Sequence, residues 1–173
     1  MIIAVVPGSF DPITAGHLDI IKRASDIYDR IIIGIVVNPS KKPLFSLEER
    51  LKMVKEEVAG NTAIEVDSFD GLLVEFVKMH GARVIIRGLR AVSDFEHEFQ
   101  MAQLNRKLSP EIETIFMMAS PEYTYLSSSI VKEISQYGGD VSGLVSPNIE
   151  ALLRRALAKP GEGKELDGYN GPY

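Results

Sequence analysis

Runs of β-branched residues alternate with amphipathic helical patterns along this chain, and this alternation constrains its fold more than any other feature. The runs that predict strands are residues 2–6, 31–37, 63–66, 83–87 and 113–118. The first, second and fourth runs are apolar almost throughout, as expected for strands covered on both faces. Strands that alternate with helices predict an α/β fold, namely a Rossmann-like, doubly wound five-stranded parallel sheet with right-handed crossovers and helices on both faces.

Helical patterns occupy the intervals between these strands. The predicted helices are residues 16–28, a helix that follows Ser46, residues 72–80, a helix from Ser93 to about residue 107, and residues 128–136 and 148–158. Ser46 and Ser93 each have a Glu three residues later, which is the pattern of a capping box. Residues 159–173 are rich in Gly and Pro and have no periodicity. We therefore expect one domain over residues 1–158 and a flexible C-terminal tail over residues 159–173.

Charge and composition exclude several classes of function. The chain has 19 Lys and Arg against 24 Asp and Glu, a net charge of −5, whereas proteins that bind DNA or anionic membranes are usually basic. The absence of Cys excludes a disulfide scaffold, a thiolate metal site and a Cys nucleophile. No apolar stretch is long enough to span a bilayer or to serve as a secretory signal. We expect a cytoplasmic protein that holds any anionic ligand with a local cluster of basic residues.

Ligands of such folds bind beyond the carboxyl ends of the strands, so the loops there are the expected site. They are residues 7–17, 38–44, 67–73, 87–94 and 119–129. In the first loop, Gly8 allows the backbone to approach a ligand closely, and Ser9 offers a hydroxyl. Gly16 and His17 open a helix, where free N–H groups favour anions. The alternative is a capped turn with a surface His.

Three later loops carry further anion-binding groups. Lys41 follows the second strand and is either a phosphate clamp or a solvated lysine. Arg87 and Arg90 flank Gly88, and their forked guanidinium groups match phosphate oxygens; the alternative is an ion pair with Asp94 or Glu96. Residues 127–129 are three consecutive serines at a helix start, although a helix N-cap needs only one.

These motifs occur in the order seen in one enzyme family. Pro-Gly-Ser-Phe-Asp-Pro with Thr-Ala-Gly-His, then Lys-Lys-Pro, Arg-Gly-Leu-Arg-Ala-Val and Leu-Ser-Ser-Ser resemble the bacterial phosphopantetheine adenylyltransferases. That family belongs to the nucleotidyltransferases with a Thr/His-x-Gly-His signature. The resemblance runs from residue 2 to about residue 158. It implies the reaction of ATP with 4′-phosphopantetheine to give 3′-dephospho-coenzyme A and pyrophosphate in coenzyme A biosynthesis. It also implies Mg²⁺ with the ATP, a cytoplasmic homohexamer, and coenzyme A as a candidate feedback ligand.

The resemblance further implies roles for individual residues. His17 would stabilise the transition state, with Lys41 and Arg90 as further catalytic groups. The residues implied to contact phosphopantetheine are Ser9, Lys41, Leu73 and Arg87. The residues implied to contact ATP are Ser9, Phe10, His17, Gly88, Leu89, Arg90, Glu98, Tyr123, Thr124, Tyr125, Leu126, Ser127, Ser128 and Ser129. Ser9 stands where the family commonly has Thr. The substitution of Ser for Thr keeps the side-chain hydroxyl.

Two other functions compete with this one. A related adenylyl- or cytidylyltransferase would act on another phosphorylated acceptor, and a non-catalytic ATP sensor would bind the nucleotide without needing His17 or Lys41. A nucleic-acid-binding module conflicts with the net charge of −5. In the favoured reaction the attacking phosphate is already anionic, so we expect no general base. We also expect no protein cage for Mg²⁺, because no carboxylate cluster is evident.

Overall fold

The computed structural model describes residues 1–38, 42–90 and 92–158, which form a five-stranded parallel sheet with six α-helices. The strands are β1 Ile3–Gly8, β2 Arg30–Val37, β3 Ile64–Asp70, β4 Val84–Leu89 and β5 Glu113–Met118. The helices are α1 Ala15–Ser25, α2 Leu47–Glu57, α3 Leu73–Met79, α4 Val92–Leu108, α5 Ser128–Gln136 and α6 Pro147–Leu157. No helix in these ranges is long and apolar enough to cross a bilayer.

The strand order is β3-β2-β1-β4-β5, and every neighbouring pair is parallel. The chain therefore builds one half of the sheet outward from β1 and then crosses to β4 on the other side. The ladder between β1 and β4 covers Ala4 with Val84 and Val5 with Ile85, yet both strands continue, to Gly8 and Leu89. A crevice opens where their carboxyl ends lose this pairing, which is where doubly wound folds bind ligands.

Helices cover both faces of the sheet, which confirms the predicted fold class. One face buries alternate residues of the central strands, such as Ile31 and Ile33, against helices α1, α2, α5 and α6. The opposite face buries Val5, Ile32 and Ile85, mainly against α3. Alternate strand residues point to opposite faces, so the nearly continuous apolar runs seen in the sequence supply both core layers.

Several predicted boundaries are correct, whereas α1 ends at Ser25 rather than at residue 28 and three strands extend further than predicted. Ser46 caps α2 through a capping box with Glu49, and Gly81 has a φ of 65° after α3, both as predicted. α4 begins at Val92, one residue before Ser93, and the side chain of Ser93, where a capping box was predicted, lies outside the described part of the chain. β3 extends to Asp70 rather than to residue 66. Polar side chains there concealed the strand, but an edge strand tolerates them because one of its sides faces solvent.

Candidate functional site

A cavity of about 640 Å³ lies at the crevice between β1 and β4. Its wall comes from the ends of β1, β2 and β4, the loops that follow β1, β2, β4 and β5, and residues of α1, α2, α4 and α5. Its charged side chains are five cations and two carboxylates, although the whole chain has a net charge of −5. They are Lys42, Arg50, Arg87, Arg90, Lys132, Asp11 and Glu98. The cavity is therefore a local basic site, suited to a polyanion.

His17 is fixed in one orientation by the start of α1. Thr14 is the N-cap of this helix, and its hydroxyl accepts from the backbone N–H of His17 (3.4 Å). In return, the His17 Nδ1 accepts from the backbone N–H of Thr14 (3.0 Å), so His17 takes the place that Glu has in a usual capping box. A backbone N–H can only donate, so Nδ1 carries no proton, and the ring presents an Nε2–H donor.

Burial, followed by the nearby charges of Arg90 and Arg87, lowers the pKa of His17 from 6.5 to about 4. The imidazole is therefore neutral at physiological pH. It also packs edge-on against Phe10, with the ring centroids 5.1 Å apart. Phe10 has a φ of 47°, which is uncommon for a residue other than Gly. A Cβ on Gly8 would lie 2.9 Å from the Phe10 ring, so a glycine is needed there.

Arg87 and Glu98 form a two-pronged ion pair in the cavity wall. The Arg87 Nε donates to one Glu98 carboxylate oxygen (2.6 Å) and Nη2 donates to the other. Nη1 donates to the carbonyl of Pro7 (2.9 Å). Thus Arg87 spans from β4 to the end of β1, across the crevice that the missing strand pairing opens. The predicted alternative of an ion pair is correct for Arg87, but its partner is Glu98 rather than Asp94 or Glu96.

The segment that leads into α5 brings hydroxyl groups and a cation together. Arg90 donates to the carbonyl of Leu126 (2.9 Å). Ser127 is the N-cap of α5, and its hydroxyl accepts from the N–H of Ile130 (3.1 Å). The Ser128 hydroxyl donates to the carbonyl of Pro12 (2.8 Å). Two of the three serines therefore hold the structure together, and Ser129 is left exposed in the cavity wall.

Comparisons with known proteins agree with this geometry. A family model described as cytidylyltransferase-like matches residues 5–134. The phosphopantetheine adenylyltransferase of Carboxydothermus hydrogenoformans is 57% identical over 161 residues, 93% of this chain and 99% of the relative. That of Clostridium tetani is 58% identical over 149 residues, 86% of this chain and 93% of the relative. The chain belongs to the phosphopantetheine adenylyltransferase family. The resemblance inferred from the motifs is confirmed.

A solved structure supports the fold independently. It comes from Vibrio parahaemolyticus, is described as a nicotinate-nucleotide adenylyltransferase, and matches with a TM-score of 0.68 at 16% identity. The match covers 92% of this chain and 98% of that structure. At so low an identity the comparison shows a shared nucleotidyltransferase fold and carries no information about the acceptor.

The structure brings together most of the residues that the family resemblance singles out. The cavity wall contains Ser9, Phe10, His17, Arg87, Gly88, Arg90, Glu98, Tyr123, Leu126, Ser127, Ser128 and Ser129. Three of the residues implied to contact ATP do not line this cavity, namely Leu89, Thr124 and Tyr125. Leu89 is buried and Tyr125 is 83% exposed. Lys41 lies outside the described residues, whereas its neighbour Lys42 is in the wall.

Leu73 lies instead in a second cavity of about 690 Å³, beside the first. The two cavities share a wall that includes Pro7, Gly8, Ser9, Val36, Asn38, Arg87 and Glu98. Beyond this shared wall the second cavity is lined mainly by apolar side chains of β3, α3 and α4. They include Phe69, Leu72, Leu73, Met101, Leu104 and Leu108. In this family member, a cation-rich cavity therefore meets an apolar one at the end of β1.

Sequence reasoning missed three further wall residues, which are Asp11, Lys132 and Arg50. The Asp11 carboxylate accepts from the backbone N–H groups of Leu44 and Phe45 (3.0 and 2.9 Å) and from Lys132 Nζ (2.6 Å). Burial acts to raise the pKa of Asp11, but these hydrogen bonds outweigh it and hold the pKa below its usual value. Arg50, the third, projects from the buried face of α2. Its spacing from Leu47 and Val54 was a usable signal, since it places a charge on the apolar stripe of that helix.

The cavity carboxylates do not form a ligand set for a divalent cation. Asp11 is engaged by Lys132, and Glu98 is engaged by Arg87. No group of three or more His, Asp or Glu side chains suited to a metal occurs among residues 1–38, 42–90 and 92–158. The donors present therefore do not fit a metal held by the protein alone.

The lowered pKa of His17 predicts an acid-sensitive fold. Between pH 6.5 and about 4 the unfolded chain binds a proton at His17 that the native protein does not bind. Stability is therefore greatest above pH 6.5 and is lost as pH falls towards 4, by roughly 3 kcal/mol at about 1.4 kcal/mol per pKa unit. We expect His17→Gln to flatten the urea-unfolding free energy in that range. An equally steep pH dependence in the variant would contradict the assignment.

Proposed function

We propose that this chain transfers the adenylyl group of ATP to 4′-phosphopantetheine, giving 3′-dephospho-coenzyme A and pyrophosphate in coenzyme A biosynthesis. The observation that carries the proposal is the shared wall between the two cavities. The cation-rich cavity suits a nucleoside triphosphate, and the apolar cavity suits the uncharged pantetheine arm. Their common wall at Ser9 and Arg87 is where the acceptor phosphate would meet the α-phosphorus of ATP.

The attacking group needs placement rather than deprotonation. The 4′-phosphate is already anionic at neutral pH, so one of its oxygens can attack the α-phosphorus while the bond to the leaving pyrophosphate breaks. We assign Arg87, the Ser9 hydroxyl and Lys41 to hold this phosphate. The ion pair with Glu98 fixes the Arg87 guanidinium before any ligand binds, which lowers the entropy cost of the aligned complex.

His17 would stabilise the charge that develops on the α-phosphoryl oxygens. Its Nε2–H is a preset donor, because Thr14 occupies Nδ1. A neutral imidazole keeps this donor at every pH well above 4. The first turn of α1 adds free backbone N–H groups and the positive end of the helix dipole. Donors fixed before the reaction need no reorganisation in the transition state.

The pyrophosphate leaving group would lie between Arg90 and the start of α5. Ser129 is exposed there, and the first N–H groups of α5 are also available to an anion. We propose that Mg²⁺ accompanies ATP and is bound through phosphate oxygens, since Asp11 and Glu98 are both engaged by cations. No step is assigned to a metal held by the protein.

We propose coenzyme A as a feedback ligand on chemical grounds. It contains the same adenylyl and pantetheine groups as the reaction product, so it would occupy both cavities at once. Competition by coenzyme A against both substrates in a steady-state assay is expected, and the absence of competition with either would contradict this. We place the reaction in the cytoplasm, where ATP is supplied.

We also propose a homo-oligomer, a hexamer by family resemblance. The outer side of α4 and β5 exposes apolar side chains that a soluble monomer would normally cover. They include Phe95, Phe99, Ile115 and Met118, each 40–63% exposed. A second copy of the chain is the partner that would bury them in a closed symmetric assembly.

The variant Phe99→Glu is expected to break this assembly. A charge at the interface would remain unpaired and poorly solvated there, so sedimentation velocity should report a smaller particle than for the wild type. Tyr137→Glu is the matched control, because Tyr137 is 82% exposed and lies at the end of α5, away from this surface. A Phe99→Glu protein of wild-type mass would contradict the proposed interface.

One assay tests the proposed function against its rivals. The protein is incubated with ATP and 4′-phosphopantetheine, and pyrophosphate release is measured alongside arms that replace the acceptor with other phosphorylated compounds or ATP with CTP. Release that requires both ATP and phosphopantetheine supports the proposal. Greater release with another acceptor or with CTP would favour a related nucleotidyltransferase. ATP binding without release in any arm would favour a nucleotide sensor.

A further inference from the structure

Arg50 differs from the other charged side chains of the cation-rich cavity. It is 5% exposed, although it lines the cavity. Arg87 is paired with Glu98 and Lys132 is paired with Asp11. By contrast, no carboxylate within residues 1–38, 42–90 and 92–158 forms an ion pair with Arg50. Its positive charge is therefore buried without a carboxylate in contact with it.

The hydrogen bonds of Arg50 do not supply the missing charge. Its Nη1 donates to the carbonyl of Ser9 (2.7 Å) and to the carbonyl of Val36 (3.3 Å). These neutral acceptors tie the phosphate-facing loop after β1 to the end of β2. The Arg50 Nε is buried and has no hydrogen-bond partner. The guanidinium thus has a charge with no carboxylate in contact and an Nε–H donor with no acceptor. It lies against Ser9 and Val36, which belong to the wall that both cavities share.

Burying an unpaired charge and an unpaired donor is unfavourable. A residue needed only to join two carbonyl groups could be neutral and would avoid the larger part of this cost. We propose that Arg50 is a positioning residue that holds the Ser9 loop and supplies a buried positive charge whose counter-ion is a phosphate group bound in the cavity. The inference rests on the proposed function only in that the cavity binds phosphates.

The proposal makes the free and ligand-bound proteins respond differently to the same substitution. Replacing Arg50 by Gln removes a buried charge, so the free protein loses the hydrogen bonds to two carbonyls but is relieved of a desolvation penalty. In the bound protein the same change removes an attraction to the ligand that surrounding water screens only weakly. A purely structural role would instead lower the stability of both forms equally.

The test uses inorganic pyrophosphate as the probe, with calorimetry for its Kd and thermal unfolding with and without it. The variants are Arg50→Gln, Arg50→Lys and the control Lys55→Gln, which removes an exposed charge from the same helix outside both cavities. We expect Arg50→Gln to raise the Kd at least about tenfold and to shrink the pyrophosphate-induced rise in Tm. Arg50→Lys should stay within about threefold of the wild type, and Lys55→Gln should match it.

Several results would overturn the proposal. One is an Arg50→Gln protein with the wild-type Kd, and another is an Arg50→Lys protein that binds as weakly as Arg50→Gln, since the effect would then follow shape and not charge. A wild-type protein that does not bind pyrophosphate would also overturn the proposal, because the proposal requires the cavity to bind phosphate groups. If Arg50→Gln fails to fold, the test is the Kd of Arg50→Lys for pyrophosphate. A value within about threefold of the wild type supports the proposal, and a value at least about tenfold higher overturns it. Absence of turnover with ATP and phosphopantetheine would defeat the proposed function but leave this binding test intact.

Discussion

Replacing His17 by alanine is expected to lower turnover about 10²–10³-fold, the range found when one donor to a developing oxyanion is removed. The fold should survive, because the Thr14 hydroxyl caps the backbone N–H of residue 17 and needs no side chain there. The loss should fall on kcat more than on KM, since the donor gains strength only as charge develops on the α-phosphoryl oxygens. Steady-state pyrophosphate release, with circular dichroism as a check on folding, measures both.

The pH profile and two further variants sharpen this prediction. Because the pKa of His17 is about 4, wild-type turnover should show no ionisation of His17 between pH 5 and 9. His17→Gln retains an N–H donor at a similar reach and should recover part of the activity lost in His17→Ala. His80→Ala is the matched control, since His80 lies at the end of α3 outside both cavities. Near-normal kcat in His17→Ala would remove His17 from the mechanism.

Local signals in the sequence predicted the parts of the molecule that depend on neighbouring residues. Five strands followed from apolar runs, and the cap at Ser46 followed from the Glu three residues later. The position of His17 at the start of α1 was predicted for the same reason, because a helix N-terminus is determined within one turn, whereas its capping contact with Thr14 was not predicted. The parallel pairing and the position of the site then followed from general rules of doubly wound folds.

Pairings between distant elements could not be predicted in this way. Arg87 and Glu98 lie on β4 and α4, whereas the sequence analysis named only Asp94 and Glu96 as ion-pair partners. Asp11 reaches both Leu44 and Lys132, which are 33 and 121 residues away. Such contacts depend on how the helices pack against the sheet. The separation of β1 from β4 beyond Val5 has the same origin, and it opens the crevice in which the first cavity lies.

Replacing Arg87 by methionine is expected to impair this protein more broadly than any other single change at the site. The Glu98 side chain is 14% exposed, and without its cation a carboxylate would face both phosphates in the shared wall. Breaking one side of such a pair costs about 3 kcal/mol of stability, the low end for buried pairs because Arg87 is itself partly exposed. The same carboxylate would repel the acceptor, so kcat/KM for phosphopantetheine should fall by about 10³.

The double variant Arg87→Met with Glu98→Gln distinguishes two causes of the expected loss. One is repulsion of the acceptor phosphate by the unpaired Glu98 carboxylate, and the other is loss of the Arg87 guanidinium itself. Removing the unpaired carboxylate should restore most of the unfolding free energy, measured by urea denaturation, because no buried charge remains. It should restore only part of kcat/KM, because the guanidinium proposed to hold the acceptor phosphate is still missing. Arg83→Met is the control, since that exposed arginine precedes β4 at the opposite end of the strand. A double variant no more stable than Arg87→Met would show that Glu98 is tolerated without its partner, and the ion pair would then not be what orders the shared wall.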